Sequence, residues 1–307
     1  MKPIFTIVFW GITTMAIAQD EFFQPESYIG GYGELHWNKA NDADGNQNKN
    51  TMDFHRFIVY YGYNWTEKWS FKSEVELEHN DVIVGDAEGE LELEQAYVNY
   101  HAGNWGFQGG VILPTAGLLN EYHEPPLFLS VERPNYSKYI IPTTWFGNGF
   151  AFYGNYSGFN FRLAIMEDLE GEGIFYDGHI RGGRGKGYKT TGFNLTKNLS
   201  GVYTGINGLR LGGSLTLNNA PIADDNKNAS TDSTIAVQLF EINAKYTAHN
   251  FYTIFEYGKN NFNYEGINLP TYIDDGETIT WSDFTSSGYY LDLGYDIGSI
   301  INTNKLI

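Results

Sequence analysis

The 307-residue chain contains no cysteine, so neither disulfide bonds nor thiol chemistry contribute to its structure or function. Basic residues are scarce, because 19 Lys and Arg stand against 37 Asp and Glu, which gives a formal net charge of −18. A chain this acidic is a poor binder of nucleic acid. After residue 18, no apolar run approaches the length of a membrane-spanning helix, and no segment shows helical periodicity. These absences exclude disulfide-stapled domains, thiol enzymes and helical membrane proteins.

The first 18 residues have the pattern of a secretory signal peptide. Lys2 gives a short positive start, an apolar run follows from Ile4 to Met15, and Ala16-Ile17-Ala18 supplies a small-x-small cleavage site. The run is too short to span a membrane as a helix. The sequence therefore predicts export. Cleavage would remove one Lys and no acid, which changes the net charge from −18 to −19. We interpret residues 19–26 as a periplasmic segment.

Aromatic residues make up 17% of the chain, and many short segments alternate between apolar and polar residues. Such period-2 alternation predicts strands, here of roughly the length that a tilted strand needs to cross a bilayer. The clearest examples are residues 69–78, 159–165, 209–217 and 289–297. Their apolar faces are expected to contact lipid through Phe161, Leu163, Leu209, Leu211, Leu215, Leu217, Leu291 and Leu293.

The connections between these segments alternate in length. Short turns are expected at 66–68, 102–104, 157–158 and 248–250, and long polar loops at 39–50, 80–89, 114–146, 167–187, 218–234 and 261–283. A soluble sandwich has no reason to sort its loops in this way. The pattern predicts an all-β fold, a transmembrane antiparallel β-barrel with long external loops, over residues 27–307. About twelve strands are readable, and we expect a C-terminally truncated piece of a 16–18-stranded barrel.

Residues 114–146 differ from the rest of the chain, because they hold five of its nine prolines and many apolar residues. Proline cannot donate to a strand ladder, so the segment is a loop. Its apolar residues need a surface to cover, and it is the third external loop, which in general porins folds inward and narrows the pore. We therefore expect a constriction formed by Glu121, His123, Glu124, Glu132 and Arg133. Their excess of carboxylates predicts a preference for cations or neutral solutes.

Several motifs resemble those of Bacteroidetes-type outer-membrane porins grouped with the phosphate-selective porins O and P. They are NEYHEPP at 120–126, SVERP at 130–134, IIPTTW at 140–145, EVELEH at 74–79, EQAYV at 94–98 and IRGGR at 180–184. The resemblance covers most of residues 28–220. It implies a homotrimeric, non-enzymatic channel for small hydrophilic solutes or ions, surrounded by outer-membrane lipid and lipopolysaccharide. One departure is Phe146-Gly147, where that family often has Arg-Glu.

The charge of the predicted lumen argues against carrying over the phosphate preference, which needs a ladder of Lys and Arg along the pore. The expected lumen wall consists of Arg56, Lys72, Glu74, Glu76, Glu78, Glu92, Glu94 and Arg162. One basic cluster, Arg181, Arg184 and Lys186, falls in the fourth external loop. It is expected either to bind lipopolysaccharide phosphates, to steer anions, or to be a solvated loop.

Two other classes of protein stay open, and no cofactor is expected for any of them. A secreted calcium-dependent glycan-binding protein would use the NDADGN run at 41–46, although that run lacks the Glu of a calcium loop. An outer-membrane barrel enzyme would need a nucleophile and a base on its rim. The side chains of Glu121, His123, Glu124 and Glu132 could coordinate a divalent cation, or they could line water and pair with Arg133 or Lys138. They match no known metal-ligand spacing, so the second arrangement is the one expected.

Overall fold

The structure, a computed structural model, describes residues 23–41, 44–45, 47–79, 89–123, 129–130, 133–223, 229–266, 271–274 and 277–298. The predicted signal peptide at 1–18, the first half of the expected periplasmic segment at 19–26, Glu124 and Glu132 lie outside these residues. So do three residues of the calcium-like run at 41–46. None of the helices within the described residues is long and apolar enough to cross a membrane.

The protein is all-β, as predicted, and twelve of its strands form one antiparallel sheet. Each strand pairs with the next along the chain, β1 to β11 followed by β14, while β12 and β13 form a separate hairpin. In the described residues β1 pairs only with β2, and β14 only with β11. The strands are β1 (Glu26–Asn41), β2 (Gln47–Asn64), β3 (Trp69–Glu78), β4 (Glu90–Ala102), β5 (Trp105–Ile112), β6 (Gly147–Tyr156), β7 (Phe159–Met166), β8 (Thr196–Ile206), β9 (Leu209–Ala223), β10 (Ala229–Ala248), β11 (Phe251–Glu265), β12 (Thr271–Asp274), β13 (Glu277–Thr280) and β14 (Phe284–Tyr295).

The connections alternate in length as predicted, with tight turns at one end of the sheet and long loops at the other. The tight turns use the left-handed backbone that two-residue hairpins require, for example at Gly158 with φ 84° and Asn250 with φ 67°. Some predicted loop bounds are wrong. The loop predicted at 218–234 is shorter in the structure, because β9 and β10 continue through polar residues that the sequence analysis assigned to the loop. The loop at 167–187 extends to β8 and contains a helix, Gly171–Asp177, and a 3₁₀ turn, Ile180–Gly183.

The sheet curls around the long connection between β5 and β6. The backbone N–H of Leu118 contacts Glu256 on β11, while His123 contacts Glu74 on β3. These strands are eight steps apart in the sheet order, so a flat sheet would separate them by about 38 Å. Five residue steps of extended chain span at most about 18 Å. One short segment reaches both strands because the sheet curves around it.

The two faces of the curled sheet differ in polarity. On the outside, Phe161, Leu163, Leu211, Leu217, Leu291 and Leu293 are exposed, with Leu293 at 70%. Leu209 and Leu215 are partly covered by their neighbours. The alternate residues of β9 are buried and polar, and include Ser214, Thr216 and Asn218. An apolar outer band with a polar inner face is the arrangement of strands that cross a membrane.

Replacing Leu215 with Arg should destabilise the barrel by about 2–4 kcal/mol if this outer band lies in lipid. Leu215 lies near the middle of β9, between Leu199 and Phe240 on the neighbouring strands. Ile206, beside a tight turn and 52% exposed, is the matched control, since Arg near an interface costs only about 0–1 kcal/mol. Equilibrium unfolding in lipid vesicles measures both variants. Equal losses for the two would mean that the outer face is not graded by membrane depth.

Candidate functional site in the lumen

The connection between β5 and β6, residues 113–146, is called the lumen segment here, because its described residues 113–123 and 133–146 lie inside the curl of the sheet. Six of its described apolar side chains are buried in a cluster with the inner faces of β9, β10, β11 and β14. The contacting set includes Ala116, Leu119, Tyr136, Ile140, Ile141 and Trp145 from the segment, and Ala220, Val237, Leu239, Phe262 and Tyr290 from the wall. The hydrophobic core of the protein therefore lies within the lumen, between this segment and one side of the wall.

A buried carboxylate on β11 fixes the first turn of the lumen segment. Glu256 accepts hydrogen bonds from the backbone N–H groups of Leu118 at 2.7 Å and Leu119 at 3.4 Å. These donors start the helical turn Leu118–Glu121 and have no partner within it, so Glu256 acts as its N-terminal cap. Gly117 precedes the turn with φ 82°, and a Cβ there would collide with the Glu256 carboxylate. Glycine is therefore required at this position.

Asn120 ties the two ends of the lumen segment together. Its side-chain nitrogen donates to the carbonyl of Pro114 at 3.0 Å and to that of Trp145 at 3.2 Å. Its side-chain oxygen accepts from the backbone N–H of Trp145 at 2.7 Å. Because Asn120 is fully buried, losing any of these bonds would leave a polar group without water. The amide thus joins the beginning of the segment to its end.

His123 attaches the other side of the segment to β3 and β4. Its Nε2 lies 3.3 Å from Glu94 Oε2 and 3.7 Å from Glu74 Oε1, and all three side chains are at most 3% exposed. Its Nδ1 donates to the Asn120 carbonyl at 3.1 Å. Burial lowers the pKa of His123, but hydrogen bonding and attraction to Glu74 and Glu94 outweigh it and raise the pKa to about 10. The imidazolium therefore bridges the lumen segment to the acidic wall.

Alkaline pH should release this bridge. The pKa of His123 rises from an ordinary 6.5 to about 10 when the segment is attached. The stability that protonated His123 gives to the attached segment is therefore complete below pH 6.5 and is lost as the pH rises through 10. We expect the lumen segment to become more accessible to limited proteolysis between pH 8 and 10.5, compared with the His123→Gln variant at the same pH. The same pH dependence in both proteins would show that His123 is not the titrating group.

Three glutamates of the acidic wall on β3 and β4 are buried rather than open to water. Arg56 lies 3.1 Å from both Glu34 and Glu76, and 3.7 Å from Glu78. Glu74, Glu76 and Glu94 are at most 2% exposed. The expectation that they line a wet lumen is therefore wrong, because the lumen segment packs over them. Lys72 is exposed.

The predicted external basic cluster is not a solvated patch. Arg181 Nη1 donates to the Thr143 carbonyl at 2.9 Å, and Arg184 Nη1 donates to the carbonyls of Thr143 at 2.9 Å and Thr144 at 2.6 Å. Lys186 pairs with Glu90 at 3.2 Å and with Glu92. This part of the fourth loop folds inward over the lumen segment, so these cations neutralise the acidic wall and cap free carbonyls instead of facing lipopolysaccharide.

Arg133 also binds within the segment, because its Nη1 donates to Thr143 Oγ1 at 2.8 Å. Burial lowers the pKa of Arg133. Burial and repulsion from Arg181 together lower the pKa of Arg184 to about 10. Arg184 therefore stays charged at neutral pH.

Of the five predicted constriction residues, the structure places Glu121, His123 and Arg133 inside the curl.

A cavity of about 300 Å³ lies beside the lumen segment, between Glu121 on the segment and Arg162 on β7. Arg162 donates to Thr115 Oγ1 at 3.4 Å and Gln108 Oε1 at 3.3 Å, both of them neutral groups. On the other side, Glu121 pairs with Arg210 at 2.5 Å. Further lining comes from Tyr153, Asn155, Asn160 and Ser200. The lining is about half polar, includes Phe161 and Val202, and carries charge of both signs.

Sequence reasoning missed several residues that build this site. Glu256, Asn120 and Gly117 hold the segment, and Arg210 pairs with Glu121. The inward position of Arg210 was visible in the alternation of β9, where it opposes the leucines. Nothing in the sequence links Glu256 to Leu118, because they lie 138 residues apart.

Comparisons with known proteins bear on the fold. No family model matches the chain. An uncharacterized protein of Aquifex aeolicus (strain VF5) is 43% identical over 145 residues, which is 47% of this chain and 33% of that protein. The match therefore spans about a third of that relative's length.

Among solved structures, the anion-selective porin from Comamonas acidovorans has a TM-score of 0.55 at 13% identity, over 90% of this chain and 75% of that one. The outer-membrane OmpT of Vibrio cholerae has a TM-score of 0.46 at 11% identity, over 79% and 67%. The first likeness shows the fold of this chain, which is that of outer-membrane β-barrels.

Proposed function

We propose that the protein is an outer-membrane porin, a passive channel for small hydrophilic solutes and ions, and not an enzyme. The observation that supports this most is the lumen segment. Its described residues lie in the interior of the curled sheet, are anchored to β11 through Glu256 and to β3 and β4 through His123, and leave a cavity lined by charges of both signs beside them. A segment that fills part of a barrel narrows the space through which solutes diffuse and so limits the size of solute that passes.

The resemblance to the porins grouped with the phosphate-selective porins O and P adds support to this proposal. Residues of its motifs meet in one network, since Arg133, Arg181 and Arg184 all bind Thr143. Glu94 and His123, from two further motifs, form the buried bridge. From the same resemblance we infer a homotrimer in the outer membrane, in contact with lipid and lipopolysaccharide.

The preference of the channel follows from its cavity rather than from the covered acidic wall. Glu121 and Arg162 face the same cavity with opposite charge. We therefore propose weak selectivity between anions and cations, and no phosphate filter. Rings of charge at a constriction determine which ions a channel prefers, so charges of opposite sign that balance each other give little ion selectivity.

Planar-bilayer recording of the purified, folded protein tests the function. We expect discrete single-channel steps, and liposomes containing the protein should swell in small sugars but not in large ones. Folded protein that inserts into bilayers without conducting would overturn the proposal.

Charge removal at the cavity should shift ion selectivity in opposite directions. Arg162→Gln leaves the negative charge of Glu121 and should move the reversal potential in a salt gradient toward that of a cation-selective channel. Glu121→Gln leaves the positive charge of Arg210 and should move it toward that of an anion-selective channel. Arg162→Lys keeps the charge and is the matched control. Both shifts should shrink at high salt, because ions screen exposed charge. Equal reversal potentials in all variants would place the ion path elsewhere.

A further inference from the structure

Three of the chain's seven histidines meet at one place, on the inner face of β1 and β2 near the end that carries the long loops. Together with two carboxylates they form what we call the histidine cluster: Glu34, His36, Asp53, His55 and His79. A bulge in β2 helps to assemble it. Phe54 pairs with Leu35 and Arg56 with Glu34, which leaves His55 as the extra residue. Bulges re-aim side chains in this way.

The polar atoms of the cluster are close to one another. His36 Nε2 lies 2.6 Å from Glu34 Oε1, His55 Nδ1 lies 3.2 Å from Asp53 Oδ2, and His79 Nδ1 lies 2.9 Å from the same carboxylate. The His36 and His55 rings stack with centroids 4.2 Å apart, and His79 meets His55 edge-on at 5.2 Å. Asp53, His55 and His79 form one triad of potential ligand atoms within 4.8 Å, and Glu34, His36 and His55 form a second.

We propose that the histidine cluster is a binding site for a first-row transition-metal ion of the zinc and copper class. Imidazole nitrogen with carboxylate oxygen is the donor set that these ions prefer, whereas calcium and magnesium take oxygen alone. Ligands bound about 2.0–2.1 Å from a tetrahedral metal lie about 3.3 Å from each other. The imidazole–carboxylate contacts are near this spacing. An ion can therefore replace the shared protons with small side-chain movements.

The surroundings of the cluster suit a metal site. Glu34 uses its second oxygen to bind Arg56 at 3.1 Å, which orients the carboxylate as outer partners of metal ligands do. The five side chains are 14% to 41% exposed, so an ion can enter without unfolding.

Titration of the folded full chain with Zn²⁺ tests the site. We expect Zn²⁺ to bind far more tightly than Ca²⁺, and Cu²⁺ to give an electron paramagnetic resonance spectrum with nitrogen couplings from imidazole. His55→Gln and Asp53→Asn should weaken Zn²⁺ binding by at least about 10–100-fold, since that is the loss in metal affinity when only a residue that orients a ligand is mutated. Binding should weaken at pH 5.5, because protons compete for the imidazoles.

Two variants make the result specific. His249→Asn alters an exposed histidine at the opposite end of the sheet, where Asn tolerates the left-handed φ of 55°, and should leave Zn²⁺ affinity unchanged. His123→Gln removes the imidazole of the buried group Glu74, Glu94 and His123, whose ligand atoms also lie within 4.8 Å. If His123→Gln abolishes binding while His55→Gln does not, the proposal is wrong and the buried group holds the ion. No binding at millimolar Zn²⁺ also overturns it.

Discussion

Deleting residues 120–140 should raise single-channel conductance severalfold, the largest change expected of any variant. The deletion removes Asn120, Glu121, His123 and the turn Tyr136–Tyr139, and with them the side chains of Tyr136 and Ile140 that pack against β11 and β14. Ions would then cross a wider aqueous path, and the reversal potential would fall toward that of free diffusion. Planar-bilayer recording measures both quantities in one experiment.

A second deletion controls for general damage to the barrel. Removing the β12–β13 hairpin, residues 271–280, takes away a structured loop element and leaves the contacts of the lumen segment to Glu256 and Glu94 in place. It should leave the conductance nearly unchanged. Heat-modifiable migration in gels verifies that both variants fold. Unaltered conductance after deletion of 120–140 in folded protein would mean that the segment does not limit passage.

Replacing His123 with Leu should destabilise the barrel by about 3–5 kcal/mol, the cost of leaving a buried charge without its partner. Glu74 and Glu94 would stay buried, with one less positive group to balance them. Arg56 already contacts Glu34, Glu76 and Glu78, so it does not replace the imidazole. Urea unfolding in detergent micelles measures the loss, and the open-channel current should become noisier as the segment loosens.

A combined variant separates charge from packing. Adding Glu74→Gln and Glu94→Gln to His123→Leu removes all three charges, so most of the lost stability should return even though the bridge is absent. His249→Asn is the control for an exposed histidine. If the triple variant is less stable than His123→Leu alone, the cost arises from packing and the electrostatic account of the bridge fails.

The fold was largely readable from the sequence, because a period of two and the sorting of loop lengths are local patterns. The leucines of β9 and the tight turn at 157–158 illustrate this. Strand ends were harder to predict. Asn218 and Thr234 look like loop residues, yet they continue β9 and β10, since a strand that leaves the membrane no longer needs apolar side chains.

The candidate site was only partly readable, because its contacts join distant parts of the chain. Prolines and apolar residues identified the lumen segment, but they could not show that Glu256 caps it. Arg184 read as an external cation, because a sequence does not tell whether a loop extends into water or folds back. The buried state of Glu94 could not be predicted for the same reason, since the residues that cover it come from other loops.

The anchoring of the lumen segment has a consequence for the order of events during biosynthesis. The segment leaves the ribosome directly after β5, but Glu256, which binds Leu118, follows 138 residues later. Glu94, by contrast, has already been made when His123 appears. The anchor at Glu94 therefore closes a short loop, whereas the anchor at Glu256 closes one of 138 residues, which costs more entropy. The aperture of the barrel therefore cannot be complete before β11 has joined the sheet.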